Sequence, residues 1–337
     1  MRRSRVRSPS TPPNSLAIPW LRSAAALLAA CACTLAWPQG YPAKPVHIVV
    51  PFPAGGTADF LARTVGDALG EQWGKPVVVE NRPGAGSILA TQVVQRAPAD
   101  GYTLLVMAPS FVVNPMLNSD ARYDAARDFV PVALLVTSPL VLAVNPSLPA
   151  HSLRELIELV RASPGKLSFA TVGPATTQQM IGEMLKIEAN IDWVYVPYPG
   201  GAPSVTALLG NHVTAVIANY SEVSSQLAGG KLRALAVGSR ERLEALKDVP
   251  TLSELGFESV DGTIWFGIVA PAGTPREVVQ RLQSDLARAI KIPAVRDKLV
   301  AQSLYPTELD PERFAAFLGA QTQKYAKIIK QAGIKPN

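Results

Sequence analysis

Cysteine is almost absent from this 337-residue sequence, and the two that occur, Cys31 and Cys33, both lie near the amino terminus. The chain from residue 40 onward therefore holds no disulfide, no thiolate nucleophile and no zinc-thiolate site. The three histidines, His47, His151 and His212, are scattered and lack the spacing of metal ligands. We therefore expect no metal site, and we expect the histidines to have structural roles.

The common enzyme motifs are also missing. The sequence contains no Gly-x-Ser-x-Gly, no His-Glu-x-x-His and no Gly-x-x-x-x-Gly-Lys-Ser/Thr. The run from Gly84 to Leu89 begins like a dinucleotide loop but ends in leucine where that loop needs glycine. These absences predict a protein without catalytic residues and without a cofactor.

Basic charge is scarce outside the amino terminus. The net charge is +6, but residues 1–39 hold five arginines and no acid, which leaves 27 basic and 26 acidic residues for the remainder. A nearly neutral body has no basic patch that could neutralise several phosphates, so we expect no nucleic-acid partner.

Residues 1–39 are typical of an export signal, because an arginine-rich start precedes a short apolar run at residues 24–36. Thirteen residues are too few to span a bilayer, which needs about 20. Residues 28–31 resemble a lipobox ending at Cys31, whereas Ala32 and Ala36 suit ordinary cleavage. Both routes stay open, and both place the body outside the cytoplasm.

The body alternates short β-branched runs with amphipathic helical patterns, which predicts an α/β fold with mainly parallel sheets. Strands are expected at residues 46–50, 77–80, 102–107, 140–144, 167–170, 193–196, 213–217 and 232–237. Ser152 and Thr274 each precede a glutamate by three residues and predict capped helix starts, and Asp310-Pro311 predicts another. The length favours two domains.

Four glycine-bearing loops follow predicted strands and precede predicted helices, at residues 51–59, 81–87, 171–177 and 197–202. Such loops gather at the carboxyl ends of parallel strands, where glycine lets a ligand approach the backbone and the helix N–H groups favour an anion. A single such loop is better explained by a turn, but four loops at equivalent positions favour a binding site. No loop contains lysine, so a small carboxylate fits better than a phosphate.

Several single residues have two interpretations. Asp59 could act as a general base or brace its helix, and the bracing role is the better supported. Arg63 and Arg82 could pair with a ligand carboxylate or form salt bridges. Trp265 fits the core better than a ligand wall.

The loops and their surroundings resemble the Bug family, also called TctC-like extracytoplasmic receptors of tripartite tricarboxylate transporters. The resemblance runs through nearly the whole body. The matching segments are residues 41–45, 50–59, 79–86, 100–104, 128–131, 196–203, 230–236, 249–254 and 270–275.

The resemblance implies a type II periplasmic binding protein with two lobes and a ligand cleft between them. Domain one would comprise residues 41–143 and 263–337, and domain two residues 144–262. It further implies a monomer that captures a small carboxylate and delivers it to the membrane subunits of a tripartite tricarboxylate transporter. The predicted binding residues are Phe52, Ala54, Gly55, Gly56, Thr57, Asp59, Gly84, Ala85, Gly86, Ser87, Ser110, Thr171, Gly173, Thr176, Pro197, Tyr198, Gly200, Gly201, Ala202 and Asn219.

One departure from the family pattern bears on the ligand. Many relatives carry an acid just after the strand at residues 213–217, where this chain has Ala218-Asn219. Because that acid can contact a ligand amine, the sequence predicts a ligand without a cation. Two other functions stay open: a sensor that acts through a signalling partner, and a hydrolase that uses Asp59 with a water molecule.

Overall fold

A computed structural model describes residues 40–336, so the predicted export signal and Cys31 lie outside the described residues. The strands are β1 (Val46–Val50), β2 (Val77–Asn81), β3 (Thr103–Met107), β4 (Phe129–Val144), β5 (Ser168–Thr171), β6 (Val194–Pro197), β7 (Ala215–Asn219), β8 (Arg233–Val237), β9 (Thr263–Pro271) and β10 (Tyr305–Leu309). The α-helices are α1 (Thr57–Trp73), α2 (Ile88–Gln95), α3 (Ser110–Leu117), α4 (Leu153–Ala162), α5 (Thr177–Ala189), α6 (Gly201–Leu209), α7 (Tyr220–Ala228), α8 (Arg276–Lys291), α9 (Pro293–Ala301) and α10 (Pro311–Gln331). Over residues 40–336, none of the helices combines the length and apolarity required to cross a membrane.

The strands pair in two groups that share β4. In the first group β1 lies between β2 and β3, with both pairings parallel. In the second group β5 lies between β6 and β7, again with parallel pairings. We call the strands β1, β2, β3, β9 and β10, with the first part of β4, lobe one. Lobe two consists of β5 to β8 with the end of β4.

Strand β4 connects the lobes through antiparallel pairings. Its residues from Phe129 to Pro139 pair with β9. Its residues from Leu140 to Val144 pair with β7 and, in part, with β8. An α/β fold with parallel strands is therefore confirmed, and every antiparallel pairing among the described strands involves β4 or β9.

The core explains why β1 is apolar at almost every position. Val46, Ile48 and Val50 pack in one buried cluster with residues of α1. Val49 points the other way, into a cluster with residues of α2. Because successive side chains of a strand point to opposite faces, a strand covered by helices on both faces is apolar throughout.

The helix starts follow the predicted caps at two of three positions. Ser152 Oγ accepts from Glu155 N–H at 3.2 Å, and Asp310 Oδ1 accepts from Arg313 N–H at 2.8 Å. The predicted cap at Thr274 is wrong, because its hydroxyl donates to the Pro271 carbonyl at 2.8 Å and α8 begins after Pro275. The Thr274 hydroxyl is therefore bound within the turn that follows β9 and does not cap α8.

The chain crosses between the lobes at two glycines in close contact. Gly262 N–H donates to Gly238 O at 3.0 Å, and Gly238 N–H donates to Leu140 O at 2.7 Å. A β-carbon added to Gly262 would lie 2.5 Å from Gly238 Cα. The backbones can approach this closely only because neither residue has a side chain.

We predict that Gly262→Ala lowers the free energy of unfolding by about 1–3 kcal/mol, since the methyl group meets backbone that cannot move aside. Gly319→Ala is the matched control. Gly319 lies inside α10 with no atom near the added β-carbon, so alanine there should stabilise the protein by about 0.5–1 kcal/mol. Urea denaturation measures both values, and equal effects of the two substitutions would contradict the close approach.

Candidate functional site

Two adjacent cavities lie at the carboxyl ends of the parallel strands. The first, which we call the Glu222 cavity, has a volume of about 30 Å³ and is lined by Phe52, Pro53, Gly56, Thr57, Ala58, Ala108, Pro109, Ser110, Val172, Thr176, Thr177, Gln178, Gly200, Gly201, Ala202, Pro203, Asn219, Glu222, Ile264 and Phe266. The second, the Ser87 cavity, has a volume of about 330 Å³ and is lined by Pro51, Phe52, Gly84, Ala85, Gly86, Ser87, Asn114, Leu117, Asn118, Val172, Gly173, Pro174, Ala175, Pro197, Tyr198 and Pro199. Phe52 and Val172 border both cavities, so these two side chains lie between them.

The first and fourth predicted loops meet across the Glu222 cavity. A β-carbon added to Gly200 would lie 2.7 Å from Pro53 Cδ, so only glycine permits this approach. A β-carbon added to Gly201 would likewise clash with the Glu222 carboxylate. Gly200 has an extended backbone, so the requirement for glycine comes from contact with lobe one and not from its φ angle.

The second and third predicted loops meet at the Ser87 cavity, where a β-carbon on Gly173 would lie 3.9 Å from Gly86 Cα. All residues from Gly84 to Ser87 have positive φ, which is unusual for Ala85 and Ser87. Asn114 holds this turn, because its Nδ2 donates to Gly86 O at 2.7 Å and to Ser87 Oγ at 3.1 Å. Such strain is typical of sites where the backbone is shaped for a ligand.

The loop that follows β1 is held by side chains of α1 and β2. Gly55 N–H donates to Asp59 Oδ2 at 2.9 Å, and Arg63 pairs with the other Asp59 oxygen at 2.9 Å. Asn81 accepts from Arg63 and donates to the Phe52 carbonyl, each at 3.1 Å. The loop that carries Phe52 into both cavities is thus tied to α1 and β2.

Asp59 is bound to this brace and is poorly suited to accept a proton. Burial raises the pKa of its carboxyl, but hydrogen bonds from Arg63, Gly55 and Asn81 outweigh burial, and the net change is a lowered pKa. The bracing interpretation of Asp59 and the salt-bridge interpretation of Arg63 therefore agree with the structure.

Most of the predicted binding residues line one of the cavities. Phe52, Gly56, Thr57, Ser110, Thr176, Gly200, Gly201, Ala202 and Asn219 line the Glu222 cavity. Phe52, Gly84, Ala85, Gly86, Ser87, Gly173, Pro197 and Tyr198 line the Ser87 cavity.

Four predicted residues lie outside both linings. Ala54 and Gly55 are exposed on the outer side of their loop. Asp59 is buried in the brace described above. Thr171 is buried as well, and it joins two loops because its carbonyl accepts from Tyr198 N–H at 2.8 Å and its hydroxyl accepts from Gly173 N–H at 3.3 Å.

Glu222 lines the cavity from the first turn of α7 and is not among the residues predicted from the sequence. Its Oε2 accepts from the backbone N–H and the side-chain Nδ2 of Asn219, at 3.1 and 3.2 Å. Its Oε1 accepts from Thr57 N–H, at the start of α1 in lobe one, at 3.4 Å. Thr57 and Ser221 also join the lobes through their hydroxyls at 2.7 Å.

Burial raises the pKa of the Glu222 carboxyl, and the hydrogen bonds from Asn219 and Thr57 offset only part of that rise. The sequence did contain a signal, since asparagine followed by glutamate three residues later is typical of a capped helix start. The sequence lacks the relatives' acid at Ala218-Asn219, but the structure places another acid at the cavity. The acid lies three residues after Asn219, one helical turn into α7.

Neither cavity has a basic side chain among its lining residues in the described part of the chain. Arg82 forms a salt bridge with Glu80 at 2.8 Å. Trp265 is buried and donates to Gln321 at 3.1 Å, so it belongs to the core as expected. An anion in this region would be held by backbone N–H groups and neutral side chains, as the loops predicted.

Comparison with known proteins gives the family. Residues 61–334 match the family model described as the tripartite tricarboxylate transporter family receptor. Protein BugT of Bordetella pertussis is 35% identical over 297 residues, covering 88% of this chain and 91% of that protein. A protein from the tcbD-tcbE intergenic region of Pseudomonas sp. strain P51 is 35% identical over 300 residues, covering 89% of each chain.

Solved structures resemble this chain over a similar share of its length. The periplasmic binding protein BugD superposes with a TM-score of 0.85 at 33% identity, covering 88% of this chain and all of that one. An R. palustris protein solved with adipate has a TM-score of 0.85 at 32% identity, covering 88% of this chain and 100% of that one. MatC from Rhodopseudomonas palustris, solved with malate, has a TM-score of 0.80 at 28% identity, with coverages of 86% and 100%.

These neighbours are periplasmic binding proteins, which confirms the predicted fold class. The family model and the relatives above 30% identity also confirm the resemblance stated from the sequence. The chain belongs to the receptor family of the tripartite tricarboxylate transporters, whose relatives include the Bug proteins.

Proposed function

We propose that this receptor captures a small organic carboxylate between its lobes and delivers it to the membrane subunits of a tripartite tricarboxylate transporter. The observation that carries the proposal is the meeting of all four glycine-bearing loops around two adjacent cavities. The ligands of two structural neighbours, adipate and malate, belong to the same chemical class.

The physical support comes from the helix starts. The first N–H groups of a helix have no partner within the helix; α3 and α5 begin at the Glu222 cavity, and α2 begins at the Ser87 cavity. One helix dipole contributes only about 0.3–1 kcal/mol. A hydrogen bond to a charged group contributes about 1.5–3 kcal/mol, so several such bonds in a closed cavity can supply the roughly 8 kcal/mol of micromolar binding.

We further propose that the receptor works as a monomer whose domains, residues 41–143 with 263–337 and residues 144–262, close on the ligand. The contacts of Pro53 with Gly200 and of Thr57 with Ser221 join the lobes and would break when the cleft opens. The paired glycines Gly238 and Gly262 lie where the chain crosses between the lobes, so they are suited to a hinge.

The receptor is proposed to bind its ligand without chemical change. Asp59, the residue considered for a hydrolase, forms a salt bridge with Arg63 and lies outside both cavities. A sensing role would use the same closure of the lobes, so uptake measured in a deletion strain separates transport from sensing.

We predict that the purified mature protein binds at least one mono-, di- or tricarboxylate with micromolar or tighter affinity in isothermal titration calorimetry. The protein should be unfolded and refolded first, so that a ligand carried over from the cells is removed. Absence of binding across such a panel would contradict the proposed function.

The matched variants for this experiment are Gly200→Val and Ala228→Val. Valine at position 200 would separate the fourth loop from Pro53, so carboxylate affinity should fall at least about tenfold while circular dichroism stays unchanged. Ala228 is exposed at the end of α7, and valine there should leave affinity unchanged. Equal affinity of the two variants would show that ligand binding does not depend on the contact between Gly200 and Pro53.

We propose that residues 1–39 export the receptor to the periplasm, as expected for a relative of the periplasmic binding protein BugD. Cell fractionation of the wild type and of Cys31→Ser tests the two processing routes. With a lipidated Cys31, the wild type is found in the membrane fraction and the variant is not. With ordinary cleavage, both proteins are released with the periplasmic contents.

A further inference from the structure

Glu222 is the one charged side chain among the described residues that line the two cavities. Among these described lining residues, one acid is therefore present and no basic side chain offsets its charge. The position of the acid is well defined, because Asn219 fixes it from its own lobe and Thr57 contacts it from the other.

The three hydrogen bonds of the Glu222 carboxylate all come from N–H donors. Both oxygens act as acceptors, as they do in the ionised form. The carboxylate also lies at the start of α1 and against Gly201 at the start of α6, where the helix dipoles favour a negative charge. Glu222 thus already occupies the anion position at these two helix starts.

A ligand carboxylate is therefore favoured in the Ser87 cavity and disfavoured beside Glu222. Among the described residues, none that lines the Ser87 cavity is charged, and the residues of its Gly84–Ser87 turn have positive φ and are held by Asn114. Because the two cavities adjoin at Phe52 and Val172, a ligand held by its carboxylate in the Ser87 cavity can extend its other end toward Glu222.

We propose that Glu222 determines specificity by requiring a hydrogen-bond donor, an ammonium or a hydroxyl group, at the end of the ligand remote from its carboxylate. This inference rests on the proposed function and narrows it to one class of carboxylates. A donor completes the coordination of Glu222. A second carboxylate meets a like charge with no cation nearby, which disfavours its ionised form.

The test uses acids of one chain length that differ only at the remote end: butanoate, γ-hydroxybutyrate, γ-aminobutyrate and succinate, with homologues one carbon shorter and longer. Calorimetry with the refolded wild type measures each affinity. At the chain length that binds best, we expect the donor-bearing acids to bind about tenfold to a hundredfold more tightly than the unsubstituted acid and the dicarboxylate.

Glu222→Gln keeps the side-chain length and removes the charge. We expect this variant to lose at least about tenfold of the preference for γ-aminobutyrate over succinate. Glu158→Gln is the matched control, because Glu158 is exposed on α4 and away from both cavities, and it should keep the wild-type preference. Thermal denaturation by circular dichroism verifies that each variant is folded.

The outcomes separate this inference from the proposed function. Succinate binding as tightly as the donor-bearing acids in the wild type would overturn the role of Glu222 and leave a carboxylate receptor. An unchanged preference in folded Glu222→Gln would do the same. Binding of no acid by the wild type would overturn the proposed function and this inference with it. The wild-type series decides the inference even if the variant does not fold.

Discussion

Backbone N–H groups at the starts of helices from both lobes converge on one region, and no basic side chain from the described part of the chain lines it. This arrangement is the constraint on which the rest of the site depends. Parallel strands place their following loops at one edge of each lobe, and β4 brings the two edges face to face. An anion bound there is held by oriented N–H dipoles, whose strength depends on position and on the exclusion of water.

Glycine makes this convergence possible because it removes the side chain where two backbones must touch. Gly200 meets Pro53, Gly201 meets Glu222, and Gly238 meets Gly262. The contact of Gly200 with Pro53 joins the two lobes, whereas that of Gly201 with Glu222 lies within lobe two. The first contact therefore belongs to the closed arrangement of the lobes, and binding energy can be coupled to closure through it.

The loops are held in shape by contacts within the protein. Asn114 supports the left-handed turn at the Ser87 cavity, and Asp59 with Arg63 and Asn81 supports the loop that carries Phe52. Polar residues that look catalytic in the sequence thus serve to position backbone. Because an ordered loop loses little entropy on binding, such supports raise affinity without contacting the ligand.

The sequence by itself determined the alternation of strands and helices, the four loops and the family, because these depend on local periodicity and on short motifs that are contiguous in the chain. Most of the binding residues that it predicted line one of the two cavities. Only the tertiary structure decided which residues of each loop point inward, so Asp59 and Gly55 lie outside the cavities while Glu222 lies within one. Glu222 meets Thr57, which is 165 residues away in the chain, and no local pattern records a contact made by the packing of two lobes.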